Sequence, residues 1–480
     1  MASEIAIASE LEPIPVPSGT LVFRPCISCT PQPKWISSNN WATLRLRAFW
    51  LPLQHQIPRD DDDAAPDVGE GRSGGGGGGG GSPPPLPLPI QVAGSATTSS
   101  PKRRPQPRHP PSTTPTTTTT TTVPPRRELI CTVGGIATEY RQYPEDGLCH
   151  YIYYTHVLTR RSNVTAIQST RFITSFKVFQ ERIPKYKKTQ GGLSFDVRKT
   201  NRDIGNHAVA SLKELQAKNI VHYGSLNVID RIATLGDLVA RALALVKELK
   251  RLQEGDASKR TVIAIGGIGY SDPPAWRKYT DLIKEAANAG TGIDTVIAIS
   301  SVSDWLEEMS KCKTVPPAFI TASNKDYPSL DRHMELVNEA SESIYGNKDV
   351  YVGLSLEMGA WMYSFDADQP SALTRNPLYQ HCKAASLVPL DMGCDSGSKV
   401  HVKDTYIAYG TDTKKVVMVF DNDVTVAEKV EYVLEKKPRK RFAWLYFNVH
   451  MADLLGKCKM PKPFTPILVL RKDFNIGDKP

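Results

Sequence analysis

A chain of 480 residues with 37 Pro and 34 Gly is long enough for two or three domains, but its composition is not uniform enough for that reading. The net charge is +9, of which residues 1–127 carry +3 and the remainder +6; spread so thinly it makes no concentrated basic face, so nucleic acid is not an expected partner. No apolar run reaches the ~18 residues that a membrane-crossing helix needs, and no basic start followed by an apolar block marks a signal peptide.

Residues 1–127 read as a disordered, low-complexity lead rich in Pro, Gly and Thr. It holds an acidic run (Asp60 to Asp63), a glycine run (Gly74 to Gly81), Pro83 to Pro85 and a threonine run (Thr116 to Thr122). Such sequence buries too little apolar surface to offset about 1–2 kcal/mol of backbone entropy per residue. A Pro/Thr-rich stretch is the composition of an O-glycosylated stalk and equally of a plain flexible linker. Cys26-x-x-Cys29 lacks the second half that a zinc site requires.

From residue 128 to 480 the pattern changes to short apolar runs alternating with amphipathic helices. Strands are predicted at Leu129–Val133, Tyr151–His156, Leu193–Val197, Val221–Leu226, Thr261–Ile265, Thr295–Ser300, Ala318–Thr321, Val350–Leu356 and Ala443–Val449. Most are continuously apolar, as in strands covered on both faces. Leu238, Ala242, Leu245, Leu249 and Leu252 share one helical face. Asp272 before Pro273 caps a helix that stops at Gly290, Ser329 opens one that closes at Gly346, and Thr425-x-x-Glu428 reads as a capping box.

Strand–helix alternation predicts a parallel α/β fold. A (β/α)8 barrel needs eight of the nine strands. Ala318–Thr321 is the one expected outside it, because no long helix separates it from the strand before. A doubly wound open sheet is the rival, though Gly266-Gly267-Ile268-Gly269 does not complete a dinucleotide-binding G-x-G-x-x-G. The stretch from about Asp366 to Phe420 breaks the alternation and reads as a small α+β insertion before the last helix and strand. Six cysteines of the domain (Cys131, Cys149, Cys312, Cys382, Cys394 and Cys458) suit disulfides, and Asn163-Val164-Thr165 is an N-glycosylation sequon. Together with the Thr-rich lead they point to an extracellular, secreted protein whose signal is not visible in this N-terminus.

Three segments resemble glycoside hydrolase family 18, the chitinase and chitinase-like family, and its divergent, tick-type secreted members most of all. The first is Ile130-Cys131-Thr132-Val133 continuing through Tyr143-Pro144-Glu145-Asp146 to Cys149-His150-Tyr151-Ile152-Tyr153. The second is Val350-Tyr351-Val352-Gly353-Leu354-Ser355-Leu356. The third runs from Asp404 through Val419-Phe420-Asp421-Asn422-Asp423 and Lys429 to Ala443-Trp444-Leu445-Tyr446-Phe447-Asn448-Val449, Asp453 and Cys458. The resemblance implies a (β/α)8 TIM barrel with a sugar cleft at the C-terminal strand ends. It also implies the pairs Cys131–Cys149 and Cys382–Cys458, with Cys312–Cys394 remaining, and it places Trp444 on the cleft floor; Trp444 reads equally as a plain core tryptophan.

The family's chemistry requires D-x-x-D-x-D-x-E on the fourth strand, where the Glu protonates the leaving oxygen and the preceding Asp orients the substrate's acetamido group. No stretch matches. The nearest alignment gives Asp294, Ile297, Ile299 and Ser301; if Val221–Leu226 is the fourth strand, it carries no carboxylate. Loss of a positioned general acid costs on the order of 10² to 10⁴ in rate. No catalytic residue is therefore assigned, and the expected protein is a catalytically degenerate chitinase-like one.

Asp196 and Glu357, near strand ends, are the fallback acid and base, and with Trp444, Asn227, Tyr270 and Asn448 they are the candidate ligand-binding residues. The plainer reading pairs Asp196 with Arg198 and leaves Glu357 in a loop. His156 and His450 lack metal-ligand spacing, so no metal or cofactor is expected. The basic run Lys436 to Arg441 reads as helix-end charge rather than a polyanion patch. The expected partner is a carbohydrate or an extracellular protein, engaged by a monomer. A glycosidase with relocated acids and a scaffold without ligand are the alternatives.

Overall fold

The structure, a computed structural model, describes residues 127–480 apart from short stretches, the longest being 303–311 and 366–377, together with two strands of the lead. Those two strands, Leu11–Ile14 and Val22–Pro25, pair antiparallel with each other within a separate unit, Met1–Ser112. The low-complexity runs and the Cys26/Cys29 pair lie outside the described residues.

Eight strands form the domain's centre: β1 Arg127–Val133, β2 Tyr151–Arg160, β3 Gln190–Phe195, β4 Ile220–Arg231, β5 Thr261–Ile268, β6 Thr295–Ala298, β7 Tyr351–Glu357 and β8 Phe442–Phe447. Each pairs in parallel with the next, and β8 pairs with β1, so the ring closes and the open-sheet rival is excluded. Most of the eight read as continuous apolar runs in the sequence, because each buries one face on the barrel axis and the other under helices. The ninth run, Ala318–Thr321, makes only isolated bridges, Ala318 to Ser301 and Phe319 to Ser329. Gly353 is a steric requirement of the ring: a Cβ there would overlap the Ala443 carbonyl of β8.

Among the described residues seven helices follow the barrel strands: α1 Thr170–Arg182, α2 Val209–Ala217, α3 Ile232–Arg251, α4 Pro273–Asn288, α5 Leu330–Glu342, α6 Asp423–Glu435 and α7 Thr465–Asp473; a further short helix, Leu390–Gly393, lies in the insertion. Leu238, Ala242, Leu245 and Leu249 of the stripe on α3 are buried as their spacing predicted, while Leu252 caps the helix and is half-buried. In α4 the Asp272 carboxylate accepts the Ala275 N–H at 2.8 Å and Pro273 occupies the first turn. The capping box of α6 sits three residues earlier than expected. Asn422 Oδ1 accepts the Thr425 N–H and Thr425 Oγ1 accepts the Asn422 N–H, both at 3.0 Å, so Thr425 is the third helical residue and not the cap.

The insertion begins at Ala360, earlier than about 366. It is a five-stranded antiparallel sheet in the order Ala384–Val388, Ala360–Ser364, Val416–Phe420, Tyr406–Gly410, Lys399–Lys403. Trp361, Tyr363, Phe365, Val417 and Val419 form a second core with Val302, Val315, Phe319 and Tyr327 of the β6–α5 connection.

Cys131–Cys149 is bonded as expected, but the other two pairs are exchanged: the bonds are Cys312–Cys382 and Cys394–Cys458. The reason is the lie of the β6–α5 connection along the insertion. Cys382 donates its N–H to the Cys312 carbonyl at 3.1 Å and Thr314 donates to Gln380 at 3.0 Å, which brings the Cys312 and Cys382 Cα atoms to 5.0 Å.

Candidate functional site at the C-terminal end of the barrel

Alternation along each strand decides what faces the axis. Ala443, Leu445 and Phe447 of β8 belong to the axial core with Tyr153, Leu226, Ile229, Ile297 and Ile299, so Trp444 between them points outward. It is fully buried, edge-on to Phe442 and Phe474 with ring centroids 5.4 and 5.6 Å away. The placement of Trp444 on a cleft floor is corrected: it is a core tryptophan clamped by the end of α7. Tyr270 is likewise removed from the mouth, because it is 1% exposed and stacked on Tyr279 at 5.3 Å beneath α4.

Glu357 and Asp196 lie at the C-terminal ends of β7 and β3, opposite positions in an eight-membered ring, so they do not form an acid–base pair on neighbouring strands. Glu357 is buried, with Oε2 accepting Trp361 Nε1–H at 3.0 Å and Oε1 accepting Asn448 Nδ2–H at 3.0 Å. Both oxygens are taken by N–H donors, so this carboxylate works as an acceptor that ties the insertion to β8. A general acid instead needs its proton free to deliver. Asn448 has a left-handed backbone, φ 55°, and its N–H donates to Thr132 Oγ1 of β1 at 2.9 Å.

Asp196 is buried in the turn after β3. Its Oδ1 accepts the Arg198 N–H at 2.9 Å and its Oδ2 lies 4.0 Å from Lys199 Nζ, so its partners are the Arg198 backbone and Lys199 rather than the Arg198 guanidinium. Beside it, His156 Nδ1 meets Ser194 Oγ at 2.8 Å. Burial pulls the His156 imidazole down to about 4, against the opposing pull of Asp196. Asn227 is half-buried at the irregularity of β4 between Ser225 and Val228, and its Oδ1 has no hydrogen-bond partner among the described residues. The mouth thus brings together Glu357 and Asn448 on one side and Asp196 with His156 on the other.

The fourth strand of the ring is Ile220–Arg231, so the Asp294 to Ser301 alignment falls on and just beyond β6. β4 also runs five residues past Leu226, to Arg231, and places Asp230 opposite Gly267. An eight-residue D-x-x-D-x-D-x-E frame ending there reads Tyr223, Leu226, Val228 and Asp230. Asp230 is half-exposed, and its Oδ1 accepts the Arg231 N–H at 2.8 Å. The sequence reading missed this carboxylate by stopping the strand at Leu226; the apolar pair Val228-Ile229 after Asn227 was the available signal.

The N-terminal end of the barrel is closed by charge. Glu128, fully buried, is 3.0 Å from the Arg260 guanidinium and accepts Thr295 Oγ1–H at 3.3 Å. Burial pushes its carboxyl up to about 7 despite Arg260. The basic run after α6 is structural: Arg439 pairs with Glu342 and Arg441 with Asp349. Among the described residues no group of three His, Cys, Asp or Glu is placed to hold a metal ion, and no helix is long and apolar enough to cross a membrane.

No protein-family model matches the chain, and no curated protein matches it. Solved structures do. Human YKL-39, described as a pseudo-chitinase with retained chitooligosaccharide binding properties, superposes with a TM-score of 0.52 at 11% identity over 72% of this chain and 99% of that one. Catalytic domain 2 of the Ostrinia furnacalis Group II chitinase, in complex with penta-N-acetylchitooctaose, gives 0.52 at 14% identity over 74% of this chain and 98% of that one. At these identities the likeness is one of fold. The chain therefore has the barrel fold of the glycoside hydrolase family 18 chitinases and chitinase-like proteins.

Proposed function

We propose that this protein is a catalytically degenerate chitinase-like protein that binds carbohydrate through the C-terminal face of its barrel and does not hydrolyse it. The observation that carries the reading is the fourth strand, whose motif positions hold Tyr223, Leu226 and Val228 in place of three aspartates. The group that would orient an acetamido substituent is missing, while Asn448, Asn227 and Asp196 keep polar groups at the mouth. The retained chitooligosaccharide binding of human YKL-39 supports the same division of roles. Three disulfides and the sequon at Asn163 support passage through the secretory pathway.

Two observations favour other readings. Asp230, at the last place of the motif frame, supports a hydrolase with an aspartate as proton donor. The burial of Trp444, Trp361 and Tyr363 removes aromatic platforms from the mouth and supports a protein partner in place of a sugar. Calorimetric titration of the full chain with chito-oligosaccharides, beside a turnover assay on the same ligands, separates the three. Binding without turnover is expected. Turnover abolished by Asp230→Asn makes the protein an enzyme, and absence of both binding and turnover removes the carbohydrate reading.

A further inference from the structure

We propose that Asn163 carries an N-linked oligosaccharide, and that this glycan stands over the mouth of the barrel on its β2–β3 side. Asn163-Val164-Thr165 is the only N-x-S/T sequence in the 480 residues. It lies in the strand Asn163–Ala166, which pairs antiparallel with the end of β2, Arg160 opposite Asn163 and Leu158 opposite Thr165. Pairing of β2 with β3 ends at Val157 opposite Phe195. The three residues beyond it therefore overhang the C-terminal end of the barrel by about 10 Å at the usual strand rise.

The two faces of this overhang are unlike. Val157, Val164 and Ala166 are buried in the layer beneath the helices, and the Val164 N–H donates to Ser211 Oγ of α2 at 3.1 Å. Arg160 and Asn163 on the other face are exposed, and Leu158 and Thr165 are half-exposed. Since the helices occupy the outer side, this second face is turned toward the barrel axis. An extended strand puts Asn163 and Thr165, the two residues that define the acceptor, on that same face. A bulky, hydrated glycan on Asn163 would rise beside the opening that holds Asp196, His156 and Asn227. The presence and position of this glycan stand independently of the carbohydrate-binding reading.

The full chain, secreted from insect cells behind an added signal peptide, is compared before and after treatment with peptide N-glycosidase F. The expected result is a mass loss of one N-glycan with Asn163 converted to aspartate, absent in Asn163→Gln and Thr165→Ala and kept in Thr165→Ser. An unchanged mass overturns the proposal. Position is read by lysine acetylation of the folded protein and peptide mapping. Lys199, in the turn after β3, is expected to label several-fold faster once the glycan is removed, while Lys187, before β3 at the other end of the barrel, keeps its rate. Equal acceleration at both sites, or at neither, overturns the placement over the mouth.

Discussion

Asn448 donates to one oxygen of Glu357 and Trp361 to the other, each at 3.0 Å, so a single carboxylate joins the eighth strand and the insertion to the end of the seventh. This arrangement makes Glu357 a positioning residue. Glu357→Ala leaves two buried donors without an acceptor and is expected to lower stability by about 1–3 kcal/mol in urea denaturation. Glu357→Gln should restore most of it, because the amide oxygen still accepts from Trp361 and Asn448 can turn its own oxygen to the new N–H. Equal losses in both variants would argue against the hydrogen-bonding role.

Trp444 packs edge-on between Phe442 and Phe474, away from the axis. Trp444→Ala is expected to cost about 3–5 kcal/mol through the cavity it leaves. Trp444→Phe should fold and keep any chito-oligosaccharide affinity of the parent. A Trp444→Phe protein with parental stability and lost affinity would put the indole back in the site.

Four histidines are held neutral by burial. His156 is drawn down to about 4 and His222, His333 and His450 to about 3. A folded pKa below the unfolded one gives stability that is complete above about pH 6.5 and is lost as pH falls toward the folded values. Glu128 has the opposite sign. Raised to about 7, its contribution is complete below the ordinary carboxyl range and is lost as pH rises through neutrality. Asp391 and Asp421, also raised by burial, act in the same direction as Glu128. The four rings outweigh these three carboxylates, so the melting temperature is expected to drop steadily between about pH 6.5 and 4. His222→Gln should flatten that drop. A flat profile in the parent protein would contradict the neutral state of these rings.

The disulfide bonds Cys312–Cys382 and Cys394–Cys458 are expected in non-reducing peptide maps. Removing the first with Cys312→Ser and Cys382→Ser together frees the β6–α5 connection from the insertion and should cost about 2–5 kcal/mol. Recovery of a Cys382–Cys458 peptide would restore the pairing drawn from resemblance.

All eight barrel strands were legible in the sequence, as was the odd position of Ala318–Thr321, because two-sided burial writes most of them as continuous apolar runs. The same continuity hid the faces. In Phe442-Ala443-Trp444-Leu445-Tyr446-Phe447 every residue is apolar or aromatic, so nothing local says that 443, 445 and 447 point inward and Trp444 outward. The irregularity of β4 between Ser225 and Val228 had the same effect, ending the apparent strand before Asp230.

Local chemistry by itself determined the run of strands and helices, the α4 cap at Asp272, the sequon at Asn163 and the lack of any D-x-x-D-x-D-x-E stretch. These depend on periodicity and on residue identity, which a chain carries wherever it is folded. The tertiary structure alone decided that the ring closes, which cysteines meet, that Glu357 joins Trp361 and Asn448, and that Trp444 lies under α7. Each of these is set by strand register and by contacts between segments tens to hundreds of residues apart, a geometry that no local pattern encodes.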